Sequence, residues 1–89
     1  MSEEKETLLE FPCQFSVKAM GYATPDFDAL VAEIVGRHVP NLGKGAVKSR
    51  ASNGGKYLSV TVTFEATSKQ QLNNIYQALT DHDKVLMSL

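Results

Sequence analysis

His82 stands between Asp81 and Asp83, and three potential ligands in a row raise the question of a metal ion. Adjacent turn residues do not aim at one point without special backbone geometry, and no second His or Cys pair is spaced to complete a ligand set. The one cysteine, Cys13, has a nucleophilic reading only beside a base and an orienting group, and the sequence pairs it with neither. Asp26 and Asp28 fall in the first turn of a predicted helix, where acids suit the macrodipole without any catalytic role. Gly43-Lys44-Gly45 lacks the length and the trailing hydroxyl of a phosphate loop. His38 falls on an apolar helix side near the C-terminus, where a packed or dipole-facing imidazole is expected. These residues imply a non-catalytic protein with no metal and no cofactor.

Three other groups are candidates for binding rather than reaction. Gly21-Tyr22-Ala23-Thr24-Pro25 joins a strand to a helix and puts free helix N–H groups at a sheet rim, so Gly21, Tyr22 and Thr24 are candidates for holding a small anionic ligand. Lys18, Lys48, Arg50 and Tyr57 are expected on one open sheet face, a layout similar to an RNA recognition module. Against RNA stand the net charge and the single outward aromatic, since Phe64 has the wrong parity to join Tyr57. Val85, Leu86 and Met87 form an apolar segment at an expected sheet edge and are candidates for an interface.

The elements that must position these residues are legible from periodicity. Lys56 to Glu65 alternates strictly, with Leu58, Val60, Val62 and Phe64 on one side and Tyr57, Ser59, Thr61, Thr63 and Glu65 on the other. Such alternation predicts a strand with one face in a core and one uncovered. Residues 13–20 alternate likewise and are predicted to end at Gly21. Thr24 as N-cap, Pro25 at the first helical position and Asp26 in the first turn predict a helix there. Phe27, Leu30, Val31, Ile34 and His38 give it one apolar face, and Pro40 ends it. Residues 46–51 form a weaker strand whose Lys48 and Arg50 suit a guarded edge. Ser52-Asn53-Gly54-Gly55 is hairpin chemistry. Thr67 or Ser68 caps a second helix with Leu72, Ile75, Tyr76 and Leu79 in register, and 84–89 is the last strand.

The order β-α-β-β-α-β, with one apolar stripe per helix, predicts an α+β, ferredoxin-like split βαβ fold. In it a four-stranded antiparallel sheet carries two helices on one face, with the first and third strands central. The 89 residues make one domain, of which 1–8 are charged and expected to be a mobile tail, and 8–12 an extended lead-in. Nine Lys and Arg against ten Asp and Glu give a net charge of −1, unlike a domain that grips nucleic acid by bulk electrostatics. The acidic start is not a secretory leader and no apolar run is long enough to span a bilayer, so a cytoplasmic protein with no membrane partner is expected.

Several segments, in order, carry a resemblance: LLEFPCQFSVKAMG, VAEIVGRHVP, SVTVTFEATSKQQL with IYQAL, and DKVLMSL. From about Leu8 to Leu89 the chain resembles the YbeD family of small bacterial proteins. That resemblance implies a cytosolic protein with a ferredoxin-like fold similar to ligand-binding regulatory domains of the ACT type. It also implies an accessory or regulatory role near lipoate attachment, and it carries over no catalytic or binding residue. The sequence thus points to a regulatory or interaction domain that self-associates or binds a partner protein. The alternatives are an amino-acid-like small-molecule sensor acting at the Gly21–Thr24 turn and RNA binding on the open sheet face.

Overall fold

Alternation is expressed most fully in two strands, β1 (Cys13–Tyr22) and β3 (Tyr57–Ala66), of the computed structural model, which describes residues 10–40 and 42–89. They pair antiparallel over their whole length, from Cys13 opposite Ala66 to Tyr22 opposite Tyr57. This register puts Val17 beside Val62 and Ala19 beside Val60 on the inward face, all four fully buried. A one-residue slip would turn those side chains to solvent, so the buried face itself specifies the register.

The hairpin partner β2 (Val47–Ala51) flanks β3, and β4 (Met87–Ser88) flanks β1, giving the sheet order β2-β3-β1-β4. Between β2 and β3 the chain turns through Gly54 at φ 85° and Gly55 at φ 71°, conformations that a side chain would strain. Ser52 locks the turn: its N–H donates to the Tyr57 carbonyl at 2.9 Å and its hydroxyl accepts from the Tyr57 N–H at 3.0 Å.

Helices α1 (Phe27–Gly36) and α2 (Lys69–Thr80) bury their stripes against the inward face. Phe27, Val31, Ile34 and Val35 from α1 meet Leu72, Ile75 and Leu79 from α2 over the valines of the sheet, with Phe64 and Ala66 at its far end. Among the described residues no polar or charged residue is buried, so the core is held by apolar burial alone. The β-α-β-β-α-β order, the antiparallel sheet and the central first and third strands are those of the ferredoxin-like fold.

Gln71 joins the two helices. Ser68 is the N-cap of α2, accepting from the Gln71 N–H at 3.1 Å, while Gln71 Oε1 accepts from the Thr67 N–H at 2.7 Å. Gln71 Nε2 donates across to the His38 carbonyl at 2.7 Å, just past the end of α1. One side chain thus satisfies orphan groups at the start of one helix and the end of the other.

The sequence reading carries α1 through His38 to Pro40, whereas the helix ends at Gly36 and His38 lies in the turn after it, its N–H donating to the Val35 carbonyl at 2.9 Å. Three further boundaries near the candidate site differ. First, β1 does not stop at Gly21; it continues through Tyr22, because Gly21 pairs opposite Leu58 and lies buried under Phe27. Second, Thr24 is not the N-cap. Its carbonyl accepts from the Phe27 N–H at 3.2 Å, making Pro25-Asp26 a turn, and helical bonding starts with Leu30 N–H to the Asp26 carbonyl at 2.9 Å. That turn delivers Phe27 into the core one step later than local capping chemistry implies. Third, β4 covers two residues rather than 84–89: Lys84 and Val85 are still in the turn after α2, with Val85 packed on the core. The expectations for 1–8 and for Leu8 and Leu9 of the lead-in lie outside the described residues.

Candidate functional site

Outward parity and strand register together lay out the open sheet face as rows. Tyr22 lies opposite Tyr57; in the next row Met87, Met20, Ser59 and Arg50 lie side by side across four strands. The row after that holds Lys18, Thr61 and Lys48, with Leu89 bonded to Lys18 by reciprocal backbone hydrogen bonds of 2.8 and 3.0 Å. Beyond it come Ser16 and Thr63, whose hydroxyls share a hydrogen bond of 2.9 Å, and last Gln14 opposite Glu65. Lys18, Lys48, Arg50 and Tyr57 therefore do share one surface.

Tyr22 belongs to it as well. Its ring stacks on that of Tyr57, centroids 5.3 Å apart and planes inclined by 25°, and Lys56 Nζ lies 5.5 Å from the Tyr57 centroid. The sequence reading counted one outward aromatic because it ended β1 at Gly21; extending the same alternation by one residue finds the second. Lys18, Met20, Arg50, Tyr57 and Ser59 border a shallow concavity of about 350 Å³ beside this pair.

Positive charge is concentrated on the sheet side, whereas the helix side mixes acids with Arg37, Lys69 and Lys84. Lys18, Lys48, Arg50 and Lys56 sit on or beside the open face, whose only described acid, Glu65, lies two rows beyond Thr61. Asp26, Asp28 and Glu33 sit at α1, and Asp81 and Asp83 follow α2. Across one strand Lys18 and Lys48 are about 10 Å apart, and Lys48 and Arg50 about 7 Å along theirs. A net charge of −1 thus coexists with a local excess of positive charge.

The profile of a family described as "Protein of unknown function (DUF493)" matches residues 6–89. The chain belongs to the DUF493 family. A relative from Chromobacterium violaceum, printed as a UPF0250 protein, is 47% identical over 89 residues and covers all of both chains. Another from Nitrosomonas europaea is 42% identical over 85 residues, covering 96% of this chain and 98% of its own. The resemblance to the YbeD family read from the segments is therefore membership. The solution structure of HP0495 from H. pylori has a TM-score of 0.72 at 21% identity, covering 91% of this chain and 85% of that one, and supports the ferredoxin-like fold.

In this DUF493 protein the Gly21–Thr24 turn forms a second, smaller feature. Tyr22, Thr24, Phe27, Asp83, Lys84 and Leu86 enclose a mostly apolar cavity of about 200 Å³. Beside it Thr24 Oγ1 is buried without a hydrogen-bond partner. Gly21 does not line this cavity; it is a packing position, with Phe27 ring carbons 2.6 and 2.7 Å from where a Cβ would stand.

The remaining candidates are occupied by structure. His82 Nδ1 accepts from the Lys84 N–H at 3.1 Å, which commits the imidazole to the turn after α2. Among the described residues no three His, Cys, Asp or Glu side chains converge on a point that could hold a metal. Cys13 is a half-buried free thiol packed on the core, and Tyr76, half-buried on α2, has its hydroxyl pKa raised by desolvation. A broad groove of about 540 Å³ runs between His38, Pro40 and Leu42 on one side and Glu65, Gln70 and Asn74 on the other. No helix of the described residues is long and apolar enough to cross a membrane.

Proposed function

We propose that this DUF493 protein is a non-catalytic interaction domain that associates with a second copy of itself along the β4 edge. What supports this is the contrast between the two sheet edges. The β2 edge carries Lys48 and Arg50, whereas Val85 to Leu89 carries no charged side chain. Leu86, Met87 and Leu89 are 51%, 53% and 66% exposed, and Tyr22 beside them is 53% exposed. These four are the large exposed apolar side chains of the described residues, and they cluster at one edge.

An uncharged edge strand with open backbone groups is a template for another strand. A second copy is the occupant that fits, because pairing β4 with itself about a two-fold axis sets no like charges against each other and makes the contact self-complementary. Size-exclusion chromatography with light scattering should show a dimer, and Met87→Lys should shift it to monomer with an unchanged circular dichroism spectrum. A wild-type protein that stays monomeric at high concentration sinks this reading.

A second reading rests on the apolar cavity at the Gly21–Thr24 turn, beside which the Thr24 hydroxyl is buried without a hydrogen-bond partner. Buried polar groups ordinarily have partners, and a small ligand would supply one. The 200 Å³ cavity lies below the usual range for ligand pockets, which limits the ligand to about the size of an amino acid. Thermal-shift measurements with a panel of amino acids and lipoate-related acids test it. A ligand at 100 times its dissociation constant adds about 2.7 kcal/mol, so a flat response across the panel removes it.

A further inference from the structure

We propose that the open sheet face binds single-stranded nucleic acid, with Tyr22 and Tyr57 as a base-stacking platform and Lys18, Lys48, Arg50 and Lys56 as phosphate contacts.

The rings carry the first part of the argument. A half-exposed tyrosine on an open sheet loses favourable burial unless something covers it, and here the half-exposed Tyr22 ring is stacked on the partly buried Tyr57 ring at 5.3 Å. Cross-strand aromatic pairing alone stabilises a sheet by only about 0.2–1 kcal/mol. A base laid on a ring already held in place gains about 1–3 kcal/mol and does so with any base, because every base has a π-face. Preorganisation matters here, since the ordering cost of the side chain has been met in the free protein.

The cations carry the second part. Lys48 and Arg50 lie on one strand and Lys18 on another, so they flank Thr61 and Ser59, whose short side chains keep the middle of the face low. The concavity of about 350 Å³ among Lys18, Arg50 and Tyr57 lies where the ring pair and the cations meet. Among the described residues, no side-chain hydrogen bond or ion pair commits Lys18, Lys48 or Arg50 to a partner within the chain, whereas Arg37 is paired with Glu33 at 2.9 Å. A ring pair at one end of a water-facing surface with cations in the two rows beside it offers one strand both a place to stack a base and contacts for its neighbouring phosphates. An acidic protein would satisfy the cations but not the stacked rings. Strand pairing through β4 leaves this face uncovered, so the inference does not depend on self-association.

A duplex hides its base faces, and a folded protein of net charge −1 has little bulk attraction for one. Selectivity for single strands is therefore the distinguishing expectation. Fluorescence anisotropy should be measured with labelled single-stranded RNA and single-stranded DNA of about twelve nucleotides, and with a duplex of equal length, from about 20 to about 200 mM salt. Saturable binding is expected for one or both single strands, with the difference between them deciding whether RNA or DNA is the better ligand. With four phosphates neutralised, the slope of log affinity against log salt should be about −3. Tyr22→Leu and Tyr57→Leu, which keep apolar bulk but remove the ring, should each weaken binding about tenfold with the slope unchanged. Lys48→Ala with Arg50→Ala should weaken binding and flatten the slope by about 1.4. Three results overturn the proposal: no saturable binding at the lowest salt, a duplex bound as tightly as the single strands, or Leu variants that bind like wild type. The last would reduce the face to a general polyanion surface, for which an acidic peptide would compete equally well. Circular dichroism of each variant separates loss of binding from loss of fold.

Discussion

Gly21→Ala is expected to lower stability by about 3 kcal/mol, the upper end of the overpacking range, and Tm by about 15 °C for a domain of this size. The residue sits inside β1, where alanine has the better intrinsic strand preference by roughly 0.5–1 kcal/mol. Propensity alone therefore predicts a small gain. Space predicts the opposite, and by more. A Cβ at Gly21 would run into the Lys84 carbonyl oxygen and into two ring carbons of Phe27 at 2.6 and 2.7 Å. The ring is 1% exposed and cannot swing out, and the carbonyl belongs to backbone that ties the end of α2 to β4. Gly36→Ala makes the matching control, because at that last position of α1 the nearest atom is Leu42 Cδ2 at 3.9 Å. It should stabilise by up to about 1 kcal/mol. Urea titration of both variants gives the signs directly, and a stabilised Gly21→Ala would rule out close packing of Phe27 and the Lys84 carbonyl on this residue.

The same glycine marks where local sequence signals stop being sufficient. The alternation from Leu58 to Phe64 and from Phe15 to Ala19 identifies both central strands and the inward face without any tertiary knowledge, because parity alone sorts the side chains. Gly21 reads locally as a strand end. Only the approach of Phe27 and of the Lys84 carbonyl explains a glycine there, and those contacts join residues from different elements. Two differences at the candidate site lie beside this boundary. Tyr22 moves from a turn to the open face, and Thr24 loses the cap that its residue type favours. Ser68, by contrast, is found as the cap of α2 because its partner Gln71 lies within the same helix turn.

Charge shows a similar division between what a chain total reports and what register reveals. The net charge of −1 is a sum over the whole chain, in which acids elsewhere offset the cations Lys18, Lys48, Arg50 and Lys56 on the sheet side. Within a Debye length of about 8–10 Å at working ionic strength, a ligand on the open face meets Lys18, Lys48 and Arg50 and is screened from the acids behind the core. Parity already placed those three cations together. What sequence alone did not supply was the neighbour of Tyr57, and with it the distinction between a solvated polar face and one bearing a stacked aromatic pair.

Phe27→Ala should cost about 4 kcal/mol, within the range for emptying a buried aromatic site. Two features of its surroundings pull that figure in opposite directions. The ring packs under Gly21 with no side chain there to refill the space, which favours a large loss. It also walls the 200 Å³ cavity at Thr24, so its removal opens a route by which water reaches the unpartnered Thr24 hydroxyl and offsets part of the cost. Ile75→Ala, at a fully buried position on α2 that borders no described cavity, supplies the comparison at about 2–5 kcal/mol. The decisive measurement is the double variant. With the ring gone, alanine at Gly21 keeps only its conflict with the Lys84 carbonyl, so the two changes together should cost at least about 1 kcal/mol less than their sum, as contacting residues do. Strict additivity would mean that Phe27 does not enforce glycine at position 21. The continuation of β1 to Tyr22, and with it the aromatic pair on the open face, would then need another cause.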